Sequence, residues 1–268
     1  MGLFKKRKRI LALGGGAARG LSNIGVLKVL EKHFGRGNLP FDMIIGTSIG
    51  SLIGAAYSTG LSPEEMEAKA LGFSWQNLVD FGIYPTGLIK GDKLEKIVFE
   101  MIDGKTFSDM RIPFALLTTD IETGEELTHT SGDLIRLIRA SCSWPGIFSA
   151  VEIEGRLLVD GGARNSIPTK AAIEAGASFI LAVNPGFAVR NQKGDKGNNV
   201  LKAMVQSMQI MGEELNEYQS AAADMVIKPD LKGVDQFGFD KGAMIIREGE
   251  LAAEKIIKGL KKRLNRPW

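Results

Sequence analysis

The chain has 268 residues, 34 Lys and Arg against 31 Asp and Glu, 44% hydrophobic residues, 33 Gly and one Cys. That balance describes an ordinary globular protein of one domain or two small ones. It excludes intrinsic disorder, a disulfide scaffold and a Cys-cluster metal site, and it favours a reducing, cytoplasmic setting. The net charge of +3 conceals ten cations at the two ends and a body of net −7, so the body is no nucleic-acid platform.

Residues 1–8 form a basic tail, with Lys5, Lys6, Arg7 and Lys8 followed by Arg9. A basic start before the run Ile10 to Ala18 imitates a secretory signal, but three consecutive glycines and Arg19 break the apolar core that such a segment needs. Lys6 stands where a myristoylation motif wants Ser or Thr. Arg9 to Leu13 reads as a short buried strand, stopped by Gly14-Gly15-Gly16, and Leu21, Ile24, Val26, Leu27 and Leu30 then recur at helical spacing. Asp42 to Gly46 is a second strand, and Ile49, Leu52, Ile53 and Ala56 mark a second helix that Gly60 stops. Met43 to Pro63 carries no charge over the length of a membrane span. Its four Gly and six Ser or Thr make it too polar for hydrocarbon.

Residues 61–107 change texture, with short helical patterns interrupted by Trp75, Phe81, Tyr84-Pro85 and several Gly, and they are expected to form an inserted helical cap. Strands resume at Ile112 to Asp120, Glu125 to Thr130 and Glu152 to Val159, with a helix over Leu134 to Ser141. Pro168 opens another helix, Phe179 to Val183 is a strand, and Arg190 to Asn199 is expected as a loop. Leu201, Met204, Met208, Met211, Leu215 and Tyr218 form an apolar stripe on a long helix, assigned to core packing rather than to an acyl-chain channel. A strand at Met225 to Lys228 and a basic helix over 244–268 end the chain. Strands alternating with helices predict a single α/β domain over 9–268, with a largely parallel sheet covered on both faces. The basic ends suit either peripheral contact with anionic lipid head groups or simple solvation.

Gly46-Thr47-Ser48-Ile49-Gly50 is G-x-S-x-G at a strand-to-helix turn, the setting in which side chains at Gly46 and Gly50 would collide and the Ser48 hydroxyl is exposed. A serine nucleophile needs a base, yet the only histidines are His33 and His129, both read as ordinary packed residues. The scarcity of His points to a carboxylate acting directly on the serine. Asp160-Gly161-Gly162 is the candidate, because it ends a strand and two glycines free the backbone to aim the carboxylate. The Gly14 to Gly20 loop lacks the spacing of a dinucleotide site or a P-loop, which leaves it the role of pointing N–H groups at an oxyanion, with Arg19 supporting the loop or an anionic head group.

Four blocks, LGGGAARGLSNIG from Leu13, DMIIGTSIGS from Asp42, RASCSWPGIF from Arg139 and VDGGARNSIP from Val159, resemble the patatin-like phospholipases. Within that family the chain is similar to bacterial members related to the hydrolase domain of neuropathy target esterase. The resemblance implies a three-layer α/β/α fold, a Ser48–Asp160 dyad without His, and hydrolysis of lipid acyl esters with neither metal nor cofactor. It implies an oxyanion hole built from Gly14, Gly15, Gly16, Arg19, Gly20 and Ile49. Two residues between Gly16 and Arg19, against one in the common family pattern, leave open whether Gly15 or Gly16 donates. The expected partner is a lipid or acyl ester; acyl transfer by the same dyad, or lipid binding with little turnover, are the alternatives. Head group and oligomeric state are not legible.

Overall fold

The run Arg-Ile-Leu-Ala-Leu puts apolar side chains on both sides of an extended chain, as a strand buried on two faces requires. In the computed structural model, which describes residues 8–72, 79–84, 86–187 and 200–265, it is β1 (Lys8–Leu13). A 3-10 turn at Ala17–Leu21 leads into α1 (Ser22–Phe34), and β2 (Met43–Thr47) with α2 (Ile49–Ser58) repeats the pattern. There follow α3 (Pro63–Ala70), β3 (Phe81–Tyr84), β4 (Gly87–Ile89) and α4 (Asp92–Ile102). Next come β5 (Phe114–Asp120), β6 (Glu126–His129), α5 (Leu134–Ser141), β7 (Gly146–Phe148), β8 (Val151–Ile153) and β9 (Arg156–Asp160). The last elements are α6 (Gly162–Asn165), α7 (Thr169–Glu174), β10 (Ala177–Val183), α8 (Val200–Ser220), β11 (Met225–Ile227) and α9 (Gly242–Leu264).

The main sheet runs β11-β10-β1-β2-β5-β9-β8, with β6 also on β5. β11, β10, β1, β2 and β5 are parallel, whereas β6, β8 and β9 join antiparallel. Alternation along β1 sorts the two cores. Leu11 and Leu13 pack with Ile24 and Leu27 of α1 and Ile246 and Leu260 of α9, while Ile10 and Ala12 pack with Ile45, Ile180 and Ala172 on the opposite face. Helices on both faces of a mostly parallel sheet make the three-layer α/β/α arrangement that the alternation predicted.

Close helix packing here depends on two glycines. A Cβ at Gly25 of α1 would come within 1.9 Å of the Ile246 carbonyl, and one at Gly249 of α9 within 2.1 Å of the Ser22 carbonyl. Local chemistry sets the helix starts: Ser62 and Glu65 form a capping box ahead of α3, and the Asp133 side chain accepts from the Arg136 N–H to open α5.

The 61–107 segment is not wholly helical. β3 and β4 form a hairpin, and β4 pairs in parallel with β7 to make a second, three-stranded sheet. The physical reason lies in Gly82 and Gly87, which weaken helix but are tolerated in a hairpin. Trp75 and the Arg190 to Asn199 loop fall outside the described residues. So do residues 1–7 and 266–268, and hence Lys5, Lys6, Arg7 and Arg266.

Candidate active site

β2 ends at Thr47 and α2 begins at Ile49, so Ser48 alone makes the turn. Its φ of 55° and ψ of −131° lie in a region that side chains rarely occupy, at a cost on the order of 1–3 kcal/mol. Neighbours hold it there. The Ser48 N–H donates to Ser141 Oγ at 2.9 Å, and its carbonyl accepts from the Ser51 hydroxyl at 2.5 Å and the Ser51 N–H at 2.8 Å. The flanking glycines are sterically required: a Cβ on Gly46 would lie 2.4 Å from the Gly50 carbonyl, and one on Gly50 2.2 Å from that of Leu13.

Asp160 reaches Ser48 at the end of an antiparallel strand that enters from the carboxyl edge of the parallel strands. Thr47 pairs with Leu117 of β5 and Asp160 pairs with Thr118, so β9 runs inward and ends level with the serine, one residue beyond Thr47. The Asp160 N–H is held by the Ser143 carbonyl at 2.9 Å. Its carboxylate accepts the Ser48 hydroxyl at 2.7 Å through Oδ2 and the Gly162 N–H at 2.7 Å through Oδ1. Burial pushes the carboxyl up from 3.8 to about 6, against the opposing pull of those two hydrogen bonds. Gly161 permits this descent, since a Cβ there would sit 2.6 Å from the Leu117 carbonyl.

The glycine loop divides its donors. The Gly14 N–H is taken by the Val183 carbonyl at 3.1 Å and that of Gly15 by the Ser166 carbonyl at 2.9 Å, which removes both from the expected oxyanion set. Gly16 and Ile49 both line the cavity, and no acceptor among the described residues takes the N–H of either. Asn23 Nδ2 braces the loop through the Gly14 and Gly20 carbonyls. Gly20 itself makes room for Ile49, whose Cγ2 would lie 2.0 Å from a Cβ at that position.

Arg19 takes the loop-supporting role expected of it rather than that of an oxyanion or head-group ligand. Its buried guanidinium points away from the serine: Nε donates to the carbonyls of Pro185 (3.1 Å) and Gly186 (2.9 Å), and Nη1 to those of Leu231 (2.7 Å) and Val234 (3.0 Å). A side chain spent on four carbonyls in the interior is no head-group ligand.

The histidines are engaged elsewhere. His33 bonds Glu254 at 3.0 Å and Lys261 at 3.3 Å, while His129 bonds Thr118 at 2.7 Å. Burial lowers His129 from its ordinary value.

Above the Ser48–Asp160 pair opens a cavity of about 330 Å³. Leu52, Leu94, Ile97 and Phe148 are among its apolar lining, and Asp160 is the only carboxylate or cation among the described lining residues. The Met stripe on α8 is not core as expected. Met208, Met211 and Leu215 line the cavity, while Met204 and Met211 are 56% and 63% exposed, so this face of α8 meets the cavity and solvent rather than another layer. Leu88 of β4 is exposed and is not among the lining residues.

Sequence reasoning passed over several residues. Ser141 and Ser143 lie in the RASCSWPGIF block but carried no assigned role. Arg139 in that block is buried and donates to the Ser149 carbonyl at 2.6 Å, to Ser143 Oγ and to the Lys90 carbonyl, tying α5 to β4. Phe187, Phe237 and Phe239 line the cavity from stretches with no motif, so nothing in their local sequence marked them.

A largely parallel α/β/α sheet thus brings a strained serine into hydrogen bond with a buried aspartate beside an apolar cavity, a serine–carboxylate site. The profile of the family described as Patatin-like phospholipase matches residues 11–173, and the chain belongs to that family. Lysophospholipase NTE1 of Scheffersomyces stipitis is 33% identical over 184 residues, which is 66% of this chain and 12% of that protein. Patatin-like phospholipase domain-containing protein 6 of Homo sapiens is 34% identical over 184 residues, again 66% of this chain and 13% of that protein. The chain therefore matches about an eighth of the length of these curated relatives. Among solved structures, VipD from Legionella pneumophila superposes with a TM-score of 0.61 at 12% identity, over 94% of this chain and 67% of that one. The type III effector protein ExoU gives 0.50 at 10% identity, over 97% and 54%. Among the described residues, no helix is long and apolar enough to cross a membrane.

Proposed function

We propose that the protein is a serine hydrolase of lipid acyl esters that works through a Ser48–Asp160 dyad and an acyl-enzyme. The observation that carries this reading is the 2.7 Å hydrogen bond from the Ser48 hydroxyl to the Asp160 carboxylate at the floor of the apolar cavity. With its carboxyl at about 6, Asp160 is mostly ionised at neutral pH yet more basic than an exposed aspartate, as a general base needs to be. It takes the Ser48 proton while Oγ bonds to the acyl carbon, and the carbonyl π pair moves onto oxygen. The N–H groups of Gly16 and Ile49 donate to that oxyanion, a contribution of about 10²–10³ in rate per donor. Collapse breaks the acyl–oxygen bond, and Asp160 returns the proton to the leaving alcohol. Water, deprotonated by the same carboxylate, then releases the fatty acid and restores Ser48.

The described lining residues supply apolar surface for an acyl chain and include no cation for a phosphate, so recognition is assigned to the chain rather than to the head group. Lysophospholipase activity, carried in the name of one relative, fits a substrate held chiefly by one acyl chain. The test is hydrolysis of p-nitrophenyl esters and of a lysophospholipid by wild type, Ser48→Ala and Asp160→Asn, with fluorophosphonate labelling alongside. Turnover is expected to vanish in both variants and labelling in Ser48→Ala. Full activity in Ser48→Ala would overturn the proposal.

A further inference from the structure

The matched family region ends at residue 173, yet much of the cavity wall comes from beyond it. Phe187 follows β10, Met208 and Met211 sit on α8, and Phe237 and Phe239 lie between β11 and α9. Phe237 stacks on Trp144 with ring centroids 5.6 Å apart and planes at 28°, which joins the late segment to the matched part of the site. Phe187 rests against α8 only because position 212 is glycine: a Cβ there would approach the ring to 2.6 Å.

These pieces share one anchor. Arg19, three residues beyond Gly16, donates to carbonyls on both late segments, at 185–186 and at 231–234. The adjacent Ala18 N–H donates to the Gln236 carbonyl at 2.9 Å, next to Phe237. Glu213 of α8 accepts the Phe187 N–H at 2.8 Å. A planar guanidinium can satisfy several carbonyls in fixed directions, so the loop that carries Gly16 and the wall that carries the phenylalanines are held in one geometry.

We propose that acyl-chain length is selected by this wall of Phe187, Phe237 and Phe239, and that Arg19 is the positioning residue that fixes the wall to the glycine loop. The inference rests on the proposed hydrolase reading and assigns that site its specificity determinants. Phe237→Ala and Phe239→Ala lengthen the apolar space, whereas Gly212→Ala adds a methyl where the Phe187 ring now sits. Arg19→Lys keeps the charge but cannot fork between the two segments.

The experiment is kcat/KM for p-nitrophenyl esters from C4 to C16, together with the thermal shift produced by fatty acids of the same lengths. Each methylene newly accommodated is worth roughly fourfold in kcat/KM. The two Phe variants are expected to raise the C16-to-C4 ratio by at least that factor, Gly212→Ala to lower it, and Arg19→Lys to flatten the profile. A merely structural Arg19 would lower the melting temperature and scale every length alike. Unchanged ratios in all four variants, with Ser48-dependent turnover intact, would overturn the wall proposal and leave the hydrolase reading standing. If the wild type turns over no ester, the hydrolase reading fails, and the fatty-acid thermal shifts decide the wall: the same displacement in chain-length preference supports it and an unaltered one refutes it.

Discussion

The Ser48 hydroxyl lies 2.7 Å from Asp160 Oδ2 although 112 residues separate the two, and both side chains are buried. Two unrelated devices produce the meeting. Ser48 is thrust out of a glycine-flanked turn at the carboxyl end of β2, and Asp160 is lowered toward it at the inner end of the antiparallel β9. The carboxylate is thereby desolvated, which makes it both a stronger base and a burden on the fold.

The first prediction concerns that burden. Asp160 ionises at about 6 in the folded protein against 3.8 ordinarily, so between those values the folded state holds a proton that the unfolded chain has released. Stability from this group is present at low pH and is lost as pH rises, a cost on the order of 3 kcal/mol above the folded value. Asp160→Asn should raise the urea midpoint at pH 8, with a gain that shrinks as pH falls from 6 toward 4. Wild-type kcat/KM should climb with pH through the same region. A midpoint that is lower in the variant at pH 8 would contradict the desolvation argument.

Ser141 accepts the Ser48 N–H and so supports the strained turn. Ser141→Ala leaves that buried donor without its acceptor, at about 1–3 kcal/mol. The expected result is a fall in kcat of roughly tenfold, with KM little changed, because the nucleophile relaxes from its poised geometry. An unaltered kcat would show that the turn holds without Ser141.

Gly50→Ala places a Cβ 2.2 Å from the Leu13 carbonyl and 2.7 Å from that of Gly14, both backbone atoms of the central strand and its loop. A loss of about 3 kcal/mol or more in urea unfolding is expected. Gly124→Ala is the control: its φ is 71° and nothing lies within 4 Å of the added Cβ, so only the roughly 1–2 kcal/mol of left-handed backbone strain applies. Equal losses at the two sites would remove the steric explanation of the G-x-S-x-G turn.

Arg9 Nη2 donates to the Leu264 carbonyl at 3.1 Å, which gathers Arg9 with Lys261, Lys262 and Arg263 at the amino edge of the sheet, opposite the Ser48 edge. Replacing Lys261, Lys262 and Arg263 with Gln should weaken sedimentation with anionic vesicles at low salt. Hydrolysis of water-soluble esters should stay at the wild-type rate, since these cations are remote from the cavity. Vesicle binding that is indifferent to the substitution would reduce the basic ends to solvated surface.

Local sequence was enough for the order of strands and helices outside the 61–107 segment and β7, for the two-faced burial of β1, and for the turn that exposes Ser48, because periodicity and glycine sterics act within a few residues. Asp160 was legible as a candidate for the same reason, through Gly161 and Gly162. Tertiary structure alone decided that Asp160 arrives on an antiparallel strand, and that Gly14 and Gly15 spend their N–H groups on Val183 and Ser166 while that of Gly16 finds no acceptor among the described residues. It also decided between the two roles open to Arg19, loop support and anion binding, in favour of the first, and moved the Met stripe of α8 from core to cavity wall. Each of these depends on what a distant segment places opposite a given atom. An apolar face looks the same along the chain whether it will meet another helix or an acyl chain, and a hydrogen-bond donor has no identity until folding supplies or withholds its acceptor.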